Sequence, residues 1–140
     1  MECKAETAKR YEALRAELGQ AYAQLYVLLT WLPVPLLVVR RQAADPVGAA
    51  RALSRAWNLI GVQEIGEDVK EQLRTAITEW LTAFELAAAV EHRGGPYPWR
   101  VDGMGAALTR FSAAAEAAAA RLEELPAPPA GPGLRVNPEG

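Results

Sequence analysis

Residues 28–42 read LLTWLPVPLLVVRRQ, an apolar run broken by Pro33 and Pro35 and closed by Arg40 and Arg41. Their reading decides the fold, because the same residues suit a membrane span, a soluble core or a surface offered to a partner. From 21 to 39 the chain carries nineteen residues without a charge, close to the ~20 that cross a bilayer. The two arginines would then be a positive cytoplasmic flank. Against a span, both prolines lie inside the run, where freed backbone groups in hydrocarbon are costly. The leucines also continue a heptad that starts far upstream. The prediction is therefore that 31–39 folds over the end of a helical bundle or lies in a subunit interface, with a membrane anchor through 21–39 as the competing reading.

The heptad itself places Tyr11, Leu18, Leu25 and Leu32 at one position, with Leu14, Ala21 and Leu28 between them. Charges fill the gaps in its first half, so one amphipathic helix is predicted over 4–32, ended or kinked by Pro33. Asp45-Pro46 is an N-cap followed by proline at the first helical position. It opens a short second helix over 46–60, with Val47, Ala50, Leu53, Trp57 and Ile60 on one face and Gly61 as its stop.

Apolar residues three and four apart from Ile65 through Val69, Leu73, Ile77, Trp80 and Phe84 predict a third helix over 64–92. Glu64, Glu67, Asp68 and Glu71 gather at its start, where the helix dipole favours anions, and His92 sits at its end, where a cation is favoured. Its length nearly matches that of the first helix, which predicts an antiparallel pair along the body of a bundle. The segment RGGPYPWR at 93–100 cannot continue a helix and reads as a loop. An alanine-dense fourth helix follows over 105–125, with Gly103 and Gly105 marking the turn before it.

Beyond residue 125 five prolines and three glycines in fifteen residues cannot bury enough apolar surface to offset the entropy of ordering them. The sequence thus predicts an all-α fold, a four-helix bundle or irregular helical array over 1–125, with a disordered proline-rich tail over 126–140. The charged start, with Glu2, Lys4, Glu6 and Lys9 ahead of any apolar run, predicts a cytoplasmic protein.

Several chemistries have no foothold. A single histidine, His92, and a single cysteine, Cys3, exclude Cys/His zinc sites and a di-iron bundle site. No phosphate-cradling glycine motif is present. The i,i+4 acid pairs Glu64/Asp68 and Glu67/Glu71 fit first-turn helix acids better than a catalytic pair. The expectation is a non-catalytic protein without a cofactor or metal.

Recognition is the remaining class. The apolar stretch offers Trp31, Leu36 and Leu37, and the 93–100 loop offers Tyr97, Trp99 and Arg100, residue types enriched at binding hot spots. Charge is also unevenly spread: Arg40, Arg41, Arg51 and Arg55 face one acid, Asp45, whereas over 63–92 seven acids meet only Lys70 and Arg74. The four arginines could contact nucleic-acid phosphates, or the basic helix could pair with the acidic one within the molecule or in a neighbouring copy. A protein partner or self-association is expected, as for an accessory subunit of a larger assembly, with a nucleic-acid-binding complex as the alternative.

Overall fold

The computed structural model describes residues 2–38, 46–125 and 133–136. Four helices account for most of them: α1 (Glu2–Thr30), α2 (Pro46–Ile60), α3 (Glu67–His92) and α4 (Pro98–Glu123). Between α1 and α2 lies a two-residue strand, β1 (Leu36–Leu37), and after α4 a second, β2 (Leu134–Arg135). The fold is an all-α bundle.

The direction of each helix follows from its side-chain contacts. Trp80 Nε1 donates to the Leu18 carbonyl at 2.9 Å, and the Tyr11 hydroxyl donates to Glu91 at 2.9 Å. Low numbers on α1 thus meet high numbers on α3, and the two run antiparallel, as their lengths predict. Asp68 pairs with Arg121 and Glu79 with Arg110, which makes α4 antiparallel to α3 as well. The α3–α4 hairpin is the most extensive interface, with α1 laid across both and α2 along α3. Both helices bury small residues, Ala76, Ala83 and Ala87 on α3 and Ala107, Ala114 and Ala118 on α4, and small side chains let helix backbones approach closely.

The core centres on Trp80, with the Tyr22 and Phe84 rings each 5.5 Å from it. Burying aliphatic and aromatic side chains of this size contributes roughly 2–3 kcal/mol each. The heptad residues of α1 are all buried. So are Leu28, Leu29, Leu32, Leu36 and Val38, so the apolar stretch closes one end of the bundle. No helix among the described residues is long and apolar enough to cross a membrane. Residues 39–45, including Arg40 and Arg41, lie outside the described residues.

The turn after α1 is fixed by Gln63, one of two buried polar residues among those described. Its carboxamide accepts from the Val34 N–H at 3.1 Å and donates to the Val34 carbonyl at 2.8 Å. Just beyond, β1 pairs in parallel with β2, Leu36 opposite Leu134 and Leu37 opposite Arg135. Residues 133–136 fall inside the segment expected to be a disordered tail. They are held here because Val136 enters the core and because Leu134 and Val136 donate to the carbonyls of Pro35 and Leu37 at 2.7 and 3.0 Å. The rest of that segment, 126–132 and 137–140, lies outside the described residues.

Three expectations are corrected. First, α3 begins at Glu67 with Gly66 as its N-cap, so Glu64 precedes the helix. Second, α4 begins at Pro98 rather than 105, with the proline at N1, where its missing N–H costs nothing. Gly103 and Gly105 therefore lie inside α4: a Cβ on Gly103 would sit 2.9 Å from Leu86 and one on Gly105 3.0 Å from Arg10. Their role is close approach to α3 and α1, not a turn. Third, the buried face of α2 is Gly48, Ala49, Ala52, Leu53, Ala56 and Ile60, while Val47 and Trp57 are exposed. Leu53 and Ile60 face inward as expected, but the rest of the inward face is made of small residues rather than Val47 and Trp57.

Candidate interaction site

The turn joining α3 to α4 needs two glycines with positive φ, Gly94 at +108° and Gly95 at +103°. Arg100, in the first turn of α4, gathers carbonyls on both sides of the α3 terminus. Its Nη1 donates to the carbonyls of Arg93, Gly95 and Ala89 at 2.7, 3.0 and 3.2 Å. The guanidinium also lies 4.8 Å from the Tyr97 ring and 5.2 Å from the Trp99 ring. Its Nε is buried and finds no protein partner.

This arrangement corrects one expectation. Arg100 is buried and holds the turn together, so it is not an exposed contact residue. His92 lies where expected, exposed in the last turn of α3. What Arg100 does for recognition is indirect: it braces Tyr97 and Trp99, which stand 48% and 64% exposed. The Tyr97 ring folds back over Gly94 and, with Lys4, Thr7 and Pro96, lines a cleft of about 340 Å³ at the start of α1.

The other expected partner residues divide in the same way. Leu36 and Leu37 form β1 and point to its opposite faces; Leu36 is wholly buried and offers no side-chain anchor, while Leu37 is half-buried. Trp31 is 38% exposed, beside exposed Val27 and Val34. It lies past the C-terminus of α1, roughly 40 Å along that helix from the Tyr97–Trp99 end. The structure therefore brings Tyr97, Trp99 and Arg100 together and leaves Trp31 at the opposite end. Of the arginines considered for phosphate contact, Arg51 and Arg55 are exposed on α2.

Trp57 is a surface aromatic that the sequence reading placed on the inward face of α2. Arg74 lies over its ring at 4.1 Å and donates to its carbonyl at 3.0 Å, while Lys70 donates to the Gly61 carbonyl at 2.9 Å. Two basic side chains of α3 thereby cap the end of α2 and hold the indole in place. The signal for this outward position was the run of small residues at 48, 49, 52 and 56, spaced for the helix face that packs closely.

Among the described residues no group of three or more His, Cys, Asp or Glu comes together to hold a metal. Most acids of α3 have a basic neighbour instead: Glu67 with Lys70, Asp68 with Arg121, Glu79 with Arg110, and Glu91 with Arg15. The Glu91 carboxylate also accepts from Tyr11. Burial, and then that hydrogen bond, push the Tyr11 hydroxyl up to about 12. The arrangement describes a helical scaffold with braced surface aromatics. No protein-family model, curated protein or solved structure matches the chain.

Proposed function

We propose that this chain is a non-catalytic interaction protein, a small accessory or structural subunit that presents braced aromatic side chains to a protein partner. One observation carries the reading: of four tryptophans, only Trp80 is in the core, while Trp31, Trp57 and Trp99 stand 38%, 37% and 64% exposed. An exposed indole forgoes the large apolar burial that a core would provide. Tryptophan on a surface recovers that burial when a partner covers it, which is why it dominates binding hot spots.

The Tyr97–Trp99 end is the principal surface in this reading. Its two rings are carried on a turn fixed by Arg100 and by Pro98, so little ordering entropy remains to be lost on binding. The test compares co-purification from the native host by the wild type, by Tyr97→Ala/Trp99→Ala, and by a control altered at exposed Val62. A discrete species that is retained by the wild type and the control, and lost by the double variant at unchanged helicity, supports the reading. Equal retention by all three would refute this surface.

A further inference from the structure

The strand β1 is a ledge that the chain fills with its own end. It is fixed from the bundle side: Gln63 holds the backbone at Val34, and Leu32, Leu36 and Val38 are buried in the core. The segment laid on it, residues 133–136, is held more lightly. Gly133 is half-buried, Leu134 and Arg135 are exposed, and Val136 alone is buried. A pair of two-residue strands has little stability of its own. The entropy of ordering four residues is comparable with what one buried valine and the backbone bonds to Pro35 and Leu37 contribute. The main helix–helix interfaces join α1 to α3 and α4, and α3 to α2 and α4, so none passes through β2.

We propose that β1 is a docking site for an extended peptide of a partner protein, occupied in cis by residues 133–136 and opened when that segment is displaced. The seated segment shows the chemistry the ledge accepts. Its first position must be glycine, because a Cβ at 133 would lie 2.9 Å from the Pro35 carbonyl oxygen and 3.1 Å from the Leu37 side chain. The second and fourth must supply N–H groups, which the Pro35 and Leu37 carbonyls accept at 2.7 and 3.0 Å, so proline is excluded from both. The fourth must also carry a small aliphatic side chain, since Val136 joins the core at the register position of buried Val38. The second and third are exposed and free to vary. The ligand is thus an extended Gly-x-x-Val segment added as a parallel strand. A partner gains over the cis segment where surface stays bare: Val34 is 52% exposed, and in this register the residue ahead of the ligand's glycine runs past it. A second copy would bring only the residues already seated and would gain nothing at the ledge. This surface is separate from the Tyr97–Trp99 end and stands whether or not that end binds a partner.

The test uses the full chain and a fluorescent synthetic peptide of residues 131–138. Against the wild type the peptide competes with the tethered segment and binds weakly. Val136→Asp expels the cis segment, because an unpaired carboxylate is costly in the core. It is expected to bind the peptide at least about tenfold more tightly, since the apparent Kd falls as the open fraction rises. The same substitution, or Gly133→Ala, placed in the peptide should abolish binding. In the wild type, saturating unlabelled peptide should speed hydrogen exchange at the protein's own Leu134 and Val136 amides while the helices stay protected. Should Val136→Asp fail to fold, Gly133→Ala in the protein provides the open form. The proposal is overturned if an open variant with intact helices binds the peptide no better than the wild type, if the altered peptides bind as well as the parent, or if saturating peptide leaves those two amides protected. A wild-type dimer lost on Val136→Asp would also overturn it, because the occupant would then be residues 133–136 of a second copy.

Discussion

Gln63 holds Val34 from both sides of its carboxamide, with Nε2 donating at 2.8 Å to the Val34 carbonyl and Oε1 accepting from its N–H at 3.1 Å. The backbone after Pro33 cannot form helical bonds, so this side chain supplies partners for the Val34 N–H and carbonyl. Gln63→Ala should lose about 2 kcal/mol, the value of two neutral hydrogen bonds. Gln63→Glu should cost at least as much, since a buried carboxylate cannot donate to the Val34 carbonyl. Denaturant unfolding of the two variants checks both values.

Arg100 is the corresponding brace at the other end. Replacing it with methionine keeps the apolar stem and removes the charge-assisted bonds to Arg93, Gly95 and Ala89. The expected loss is on the order of 3 kcal/mol. Lysine should not restore it, because one ammonium on a flexible stem does not reproduce the planar group that lies against Tyr97 and Trp99. Thermal unfolding and the fluorescence of Trp99 report the stability and the local order, respectively.

Comparison of these two braces shows which parts of the fold were legible. Periodicity exposed α1, because Tyr11, Leu18, Leu25 and Leu32 repeat every seven residues, and it exposed α3 through Val69, Leu73, Ile77 and Trp80. Boundaries were less clear where glycine has two meanings. Gly94 and Gly95 do break a helix, whereas Gly103 and Gly105 lie within one to admit Leu86 and Arg10. Arg100 read as a surface hot spot because nothing local reveals that three carbonyls converge on it. Trp57 read as core because large apolar residues usually outrank alanine, yet beside Leu53 and Ile60 the buried face of α2 takes Gly48, Ala49, Ala52 and Ala56 and leaves the indole outside. Of the candidate site, the Tyr97–Trp99 pair was visible as aromatics between helix breakers. The brace of Arg74 on Trp57 was not, since it exists only when α2 lies on α3.

The short β1–β2 pair makes a prediction of its own. A Cβ on Gly133 would sit 2.9 Å from the Pro35 carbonyl oxygen and 3.1 Å from the Pro35 ring, neither of which can easily give way. Gly133→Ala should release β2, with faster hydrogen exchange at the Leu134 and Val136 amides, which donate across the pair. Global stability should fall by no more than about 2 kcal/mol, the value of re-exposing one valine side chain. Unchanged exchange at both amides would show that the strand does not depend on a bare backbone at 133.

Tyr11 links α1 to α3 through a hydroxyl that donates to Glu91 while Arg15 holds the same carboxylate at 3.2 Å. Its ionisation is pushed up to about 12 by burial first and by the Glu91 bond second. In the folded state the phenol keeps its proton to higher pH than in the unfolded chain, whose tyrosine ionises near the ordinary value of about 10. The stabilisation is therefore complete below about pH 10 and is lost as pH rises from about 10 through 12, where folding retains a proton that unfolding releases. Tyr11→Phe should cost about 1 kcal/mol at neutral pH for the lost hydrogen bond. The stability difference between wild type and variant should then shrink through the alkaline window, because phenylalanine has nothing to ionise. Paired urea titrations from pH 7 to the highest pH at which both proteins refold measure that difference directly, with the other titrating groups common to both. A difference that stays constant across the window would mean that Tyr11 ionises alike in the folded and unfolded chains, and that its hydroxyl is not shielded between the two helices.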